Sequence, residues 1–132
     1  MVGKRLLFLT KAIEDFEGWS PDDLKTLNVN EETPSFRNNN PGNLTASPFA
    51  IGNRGRFAYF YNDEVGRFAL LWDLYQKCTG MNAQGLGKES TLEQLIKVYA
   101  PPTENSTTNY IAYIEARTGW SRKMKLVELL AK

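Results

Sequence analysis

The sequence predicts a mainly α (α+β) domain: a helical body with one small β-hairpin between the first helix and the helices that follow. Three observations predict it. Apolar residues recur three and four apart near the N terminus and again through the second half of the chain. A Gly-Asn-Arg-Gly stretch stands between an apolar pair and an aromatic run in "AIGNRGRFAYFY". The 132 residues, 42% hydrophobic and 12% aromatic, suffice for one domain with a real core and are too few for two comfortable ones. Residues 1–132 are therefore read as a single domain.

Leu6, Leu9, Ile13 and Phe16 form one face of a first helix, which Gly18 can end. At about 100° per residue, Glu17 lies roughly 60° from the centre of that stripe, Glu14 roughly 120° and Asp15 roughly 140°. Glu17 is thus expected at the edge of the buried face, with Glu14 and Asp15 toward solvent. Residues 20–37 read as loop with at most a short helix. The hairpin falls within residues 44–61. Asn62, Asp63 and Glu64 can start a helix carrying Val65, Phe68, Trp72 and Tyr75 on one face. "TGMNAQGLG" is a loop. Ser90 with Glu93 makes a capping-box pattern for the next helix, which Pro101 and Pro102 stop. Residues 105–107 are cap candidates for a further helix ending at Gly119. Ser121 can cap a short last helix bearing Arg122, Lys123, Lys125 and Lys132. That basic face is either solvated or attracted to an anionic surface such as a cell-wall polymer.

Composition excludes several chemistries. The formal charge of +1 argues against a dedicated nucleic-acid binder. Without histidine there is no Ser-His or Cys-His nucleophile pair and no histidine-ligated zinc. Cys78 is alone, so no intrachain disulfide or thiolate metal cluster forms, and a small core residue is the expected role. No cofactor or metal is implied. No apolar run approaches the roughly 18 residues of a transmembrane helix, so no membrane insertion is expected. Lys4 and Arg5 open the chain like a signal peptide, but the apolar run at residues 6–9 is too short, and the segment is read as the first helix of the mature fold. Catalysis, if there is any, falls to carboxylates, amides, hydroxyls and tyrosines.

The stretch "RNNNPGNL", residues 37–44, concentrates amides around a Pro-Gly turn. One reading is a turn and nothing more, because proline fixes φ and glycine accepts φ > 0. The other uses the donors and acceptors of Asn39, Asn40 and Asn43 to hold a ligand rich in hydroxyl and acetamido groups. Glycoside cleavage needs a half-buried carboxylic acid beside the leaving oxygen. Glu17 is the carboxylate so placed, although helix-end glutamates are common. No acidic residue stands between Glu32 and Asp63, where a second carboxylate would often be found. A lone acid fits a reaction in which the substrate supplies its own nucleophile.

The order "FEGW", "RNNNPGNL", "FAYFYNDEVGRFALLWDL", "VYAPPTENSTTNYIAYI" resembles the lysozyme-like superfamily, specifically bacterial and bacteriophage peptidoglycan-cleaving domains of the lytic transglycosylase and glucosaminidase type. The resemblance covers about residues 5–118. It implies a lysozyme-like fold, Glu17 as the catalytic acid, and a sugar cleft walled by Asn39, Asn40 and Asn43. Phe57, Ala58, Phe60, Gly66, Ala69 and Leu70 match one of its patterns; Pro102, Glu104, Asn105 and Tyr110 match another. It implies Tyr110, and by analogy Tyr99, near the substrate, the alternative being core aromatics. Two departures stand out. Gly18 replaces the usual serine after the catalytic glutamate, and the familiar Gly-Leu-Met-Gln run is absent, with Gly42-Asn43-Leu44 in roughly its place. The function implied is cleavage of the β-1,4 bond between N-acetylmuramic acid and N-acetylglucosamine by a monomeric peptidoglycan glycosidase acting at the bacterial cell wall, phage-encoded or virion-associated in view of the missing signal peptide. The alternative is a catalytically weak or inactive peptidoglycan-binding or virion-structural module of the same fold.

Overall fold

The computed structural model describes residues 3–18, 34–99 and 107–131. The chain is mainly helical with a small two-stranded antiparallel sheet. The elements in order are α1 (Lys4–Phe16), α2 (Pro34–Arg37), β1 (Gly52–Arg54), β2 (Phe57–Tyr59), α3 (Asp63–Thr79), α4 (Leu92–Tyr99), α5 (Thr107–Thr118) and a closing 3-10 helix, Leu126–Leu130. Backbone contacts divide it into two compact units. One is Ile13–Asp73; the other joins Met1–Ala12 to Leu74–Lys132. Trp19, Pro102, Glu104 and Asn105 lie outside the described residues, as do the expected prolines that stop α4.

In the unit Ile13–Asp73, α1 ends as expected, with Gly18 at φ 81°, a left-handed value that glycine adopts without strain. The hairpin pairs Gly52 with Tyr59 and Arg54 with Phe57 across a Gly55-Arg56 turn. The free edge of β2 is taken by the amide loop: the Ala58 and Phe60 N–H groups donate to the carbonyls of Leu44 and Asn38, both at 2.9 Å. Leu44, Ala58, Phe60, Ala69 and Leu70 are buried. The apolar face expected for α3 is not its core face. Phe68 is 50% exposed, while Gly66, Ala69 and Leu70 point inward. Small residues face the core because the loop packs closely there, and the large aromatics gather outside it. Phe68 lies nearly parallel to Trp72 at 6.5 Å, and Phe49 meets both edge-on.

In the other unit, the capping box sits one residue later than expected. The Thr91 hydroxyl accepts from the Gln94 N–H at 3.2 Å, and the Gln94 side chain accepts from the Thr91 N–H at 2.8 Å. The same Ser/Thr-x-x-Glu/Gln pattern begins at both Ser90 and Thr91, and Ser90 instead accepts from Gly87 N–H. Two further N–H groups at the start of α4, Leu92 and Glu93, donate to the Met124 and Arg122 carbonyls, so the C-terminal segment satisfies a helix end. Gly119, at φ 78°, ends α5. The basic C-terminal face is partly neutralised within the chain: Arg122 binds Glu115 at 2.7 Å and Lys125 binds Glu89 at 2.7 Å. The hydrogen bonds from Arg122 hold the Glu115 carboxyl below its usual range. These pairs favour the solvated reading of that face. No helix among the described residues is long and apolar enough to cross a membrane.

Cys78 is a buried core residue. Burial pushes its thiol up to about 12, against a smaller downward pull from the Lys77 ammonium. A raised thiol favours the neutral folded state. Its contribution to stability is whole below the unfolded value near 9 and is lost as pH rises toward about 12. Two outcomes are expected. A thiol reagent at neutral pH should label the folded chain only as fast as it opens, and the stability difference between the wild type and Cys78→Ala, from urea unfolding, should shrink once pH passes 9.

Candidate active site

Glu17 follows the last residue of α1, and its N–H closes the helix onto the Ile13 carbonyl at 2.9 Å. The side chain is half-buried, as its phase on the helix implied. Its Oε1 accepts a hydrogen bond from the Asn43 amide nitrogen at 3.1 Å. The end of α1 and the amide loop, 26 residues apart in sequence, thus converge on one carboxylate. The amide oxygen of Asn43 is buried and has no hydrogen-bond partner among the described residues. A buried acceptor left unmet costs about 1–3 kcal/mol, and such groups concentrate where function demands them.

The asparagines of the loop do different jobs. Asn39 and Asn43 have φ of 52° and 50°. Asparagine tolerates this left-handed backbone far better than most residues, so their identity follows first from the turn. The Asn39 amide donates to the Phe60 carbonyl at 3.1 Å, tying the loop to the end of β2. Asn40 is 0% exposed. Its amide nitrogen donates to the Leu44 and Ala58 carbonyls, and its oxygen accepts from the Leu44 N–H, all at 2.9 Å. That corrects the expectation of a sugar contact at Asn40: a side chain sealed in the loop and committed to three backbone groups is a scaffold. Asn40→Ala leaves those groups unmet, and urea unfolding should show a loss on the order of 3 kcal/mol.

Glu14 also departs from expectation. It is 3% exposed, not solvent-facing, and its Oε1 binds Arg67 Nε of α3 at 3.1 Å. The expected stripe counted only large apolar residues. Thr10, Ala12 and Glu14 are buried too, so the inward arc of α1 spans roughly 200° and Glu17 falls well within it. A guanidinium across the interface is what makes an interior carboxylate tolerable. Sequence reading missed Arg67, whose only signal was a cation inside "VGRFALL".

Tyr99 and Tyr110 belong to the other unit. Tyr110 is fully buried and meets the half-buried Tyr99 edge-on, ring centres 6.5 Å apart. A fully buried ring has no face to offer a sugar, so the core reading fits Tyr110. Gly18 acquires a structural explanation: at φ 81° a serine would be strained, so its presence does not by itself mark lost activity. Among the described residues no group of His, Cys, Asp and Glu is arranged to hold a metal ion. No protein-family model, no characterised protein and no solved structure matches the chain.

Proposed function

We propose that the chain is a lysozyme-like muralytic domain that cleaves the β-1,4 bond between N-acetylmuramic acid and N-acetylglucosamine, with Glu17 as its single acid and base. The observation that carries the proposal is the Asn43–Glu17 hydrogen bond, which orients a half-buried carboxyl from the loop that resembles a sugar-cleft wall. In the first step the proton on the Glu17 carboxyl passes to the glycosidic oxygen. The C1–O bond breaks, its electron pair leaves with that oxygen, and positive charge develops at C1. The substrate's acetamido group stabilises that centre, since the segment carrying the loop and hairpin supplies no carboxylate. The oxygen of the muramyl 6-hydroxyl then bonds to C1 while its proton returns to Glu17, giving an anhydro product; water in the same place would give hydrolysis. Glu14 takes no part, being bound to Arg67.

The test is mass analysis of fragments released from purified peptidoglycan. Anhydro products, lighter by one water than hydrolysis products and lacking a reducing end, are expected. Glycan fragments ending in reducing N-acetylmuramic acid would make the chain a muramidase. Absence of release, with glycan binding retained, would leave a binding module.

A further inference from the structure

The two compact units differ in charge. Met1–Ala12 with Leu74–Lys132 carries eleven lysines and arginines against five carboxylates, a side-chain net of +6. Ile13–Asp73 carries five against ten, a net of −5. The chain total of +1 hides this split, which decides what each unit attracts. Three carboxylates of the basic unit are taken up internally: Glu89, Glu93 and Glu115 pair with Lys125, Lys97 and Arg122. Lys4, Arg5, Lys11 and Lys88 are exposed and make no ion pair among the described residues.

Three of those cations stand on α1, and their spacing matters. At about 100° per residue, Lys4, Leu7, Phe8 and Lys11 fall within roughly 100° of arc, the lysines at its centre and the apolar pair at its flanks. Leu6, Leu9 and Ile13 fill the opposite, buried side. Leu7 is 49% exposed and Phe8 37%. Phe8 meets the half-buried Trp120 edge-on at 5.6 Å, and the Arg117 guanidinium lies 5.3 Å over its ring. Arg5 donates to the Glu128 carbonyl at 3.2 Å, and the Val127 N–H donates to the Lys88 carbonyl at 3.0 Å. The 3-10 helix thus brings exposed Val127 and Lys88 to the start of α1.

A helix face that sets exposed lysines among exposed leucine and phenylalanine suits a boundary where anionic headgroups lie over hydrocarbon. A soluble polyanion would use the charges and leave Leu7 and Phe8 in water. We infer that this face of the basic unit docks on an anionic lipid surface, with α1 lying in its plane. The Lys4 and Lys11 ammonium groups meet the headgroup phosphates, and Leu7 and Phe8 enter the boundary beneath them. The contact is peripheral and needs no helix long enough to span a bilayer. It does not rest on the cleavage proposed for Glu17.

The probe is a vesicle of equal parts phosphatidylglycerol and phosphatidylcholine, floated with the full chain. Vesicles of phosphatidylcholine alone and soluble polyphosphate are separate arms. Binding to the mixed vesicle that weakens as salt is raised, and none to the neutral vesicle, are expected. A cation near such a surface is worth about fivefold in affinity, so Lys4→Gln with Lys11→Gln should weaken vesicle binding about tenfold or more. Arg54→Gln with Arg56→Gln removes the same charge from the acidic unit and should change it by about twofold or less. Leu7→Ser should weaken vesicle binding and leave any polyphosphate binding unmoved. Circular dichroism checks each variant for an unchanged fold. No binding to the mixed vesicle, equal binding to both vesicles, or equal losses from the two charge-matched pairs would each overturn the assignment. Vesicle binding indifferent to Leu7→Ser, with polyphosphate bound as tightly, would overturn it in favour of a soluble polyanion.

Discussion

Glu17→Gln is expected to cut wall cleavage by at least about a hundredfold while leaving the fold intact. Glutamine keeps the length and shape of the side chain. Its amide oxygen still accepts from Asn43, so the contact between the end of α1 and the loop survives. What it lacks is a proton it can transfer to the leaving oxygen. The informative companion is Glu14→Gln, three residues back on the same helix. Glu14 is interior and bound to Arg67, so this change should appear as stability and not as chemistry. A loss of about 1–2 kcal/mol in urea unfolding is expected, with activity per folded molecule close to normal. Arg67→Met should cost more, on the order of 3 kcal/mol, because it leaves a buried carboxylate without that guanidinium. Equal loss of specific activity in Glu17→Gln and Glu14→Gln would remove Glu17 from its role.

The helical order, the hairpin and the glycine stops were legible because each is written locally. Three-four spacing, a Gly-flanked turn and left-handed glycines need no tertiary partner to be read. What stayed hidden depended on partners far along the chain. Glu14 looks solvent-facing until Arg67 is brought across to it. The α3 face of Val65, Phe68, Trp72 and Tyr75 looks like a core stripe because hydrophobicity was weighed without room to pack. The true inward face carries Gly66, Ala69 and Leu70, since the amide loop leaves space for little else. Capping is local as well, but two overlapping patterns at Ser90 and Thr91 made its register ambiguous.

The loop itself was half legible. Its turn chemistry and its pairing with Glu17 turn out to be one design, because the backbone bend that needs asparagine at 39 and 43 is also what delivers the Asn43 amide to the carboxyl. Asn40 then fills the inside of that bend. Nothing in "NNNPGN" distinguishes the asparagine that faces inward from the one that meets the helix end. The alternation is set by β2, whose Ala58 carbonyl and N–H anchor the loop from 14 residues beyond its end at residue 44.

Gly66→Ala is expected to destabilise the chain by on the order of 3 kcal/mol, against the direction that helix propensity alone would give. Within a helix, alanine is favoured over glycine by about 1 kcal/mol, so an exposed Gly66 would gain from the change. Gly66 is not exposed. A methyl group there would overlap the Asn39 carbonyl oxygen and approach Pro41 Cδ to 2.9 Å. Neither neighbour yields easily. Asn39 is held at φ 52° with its side chain bound to the Phe60 carbonyl, and Pro41 is stiff by its ring. The added carbon must therefore push the whole loop off α3. Asn40 would leave its three backbone partners, and Asn43 would draw back from Glu17. Activity and stability should fall together, with the largest backbone shifts in an ¹⁵N spectrum at Asn39 and Asn43. A stabilised Gly66→Ala variant with an unmoved loop would show that α3 and the loop are not in the contact on which the proposed site depends.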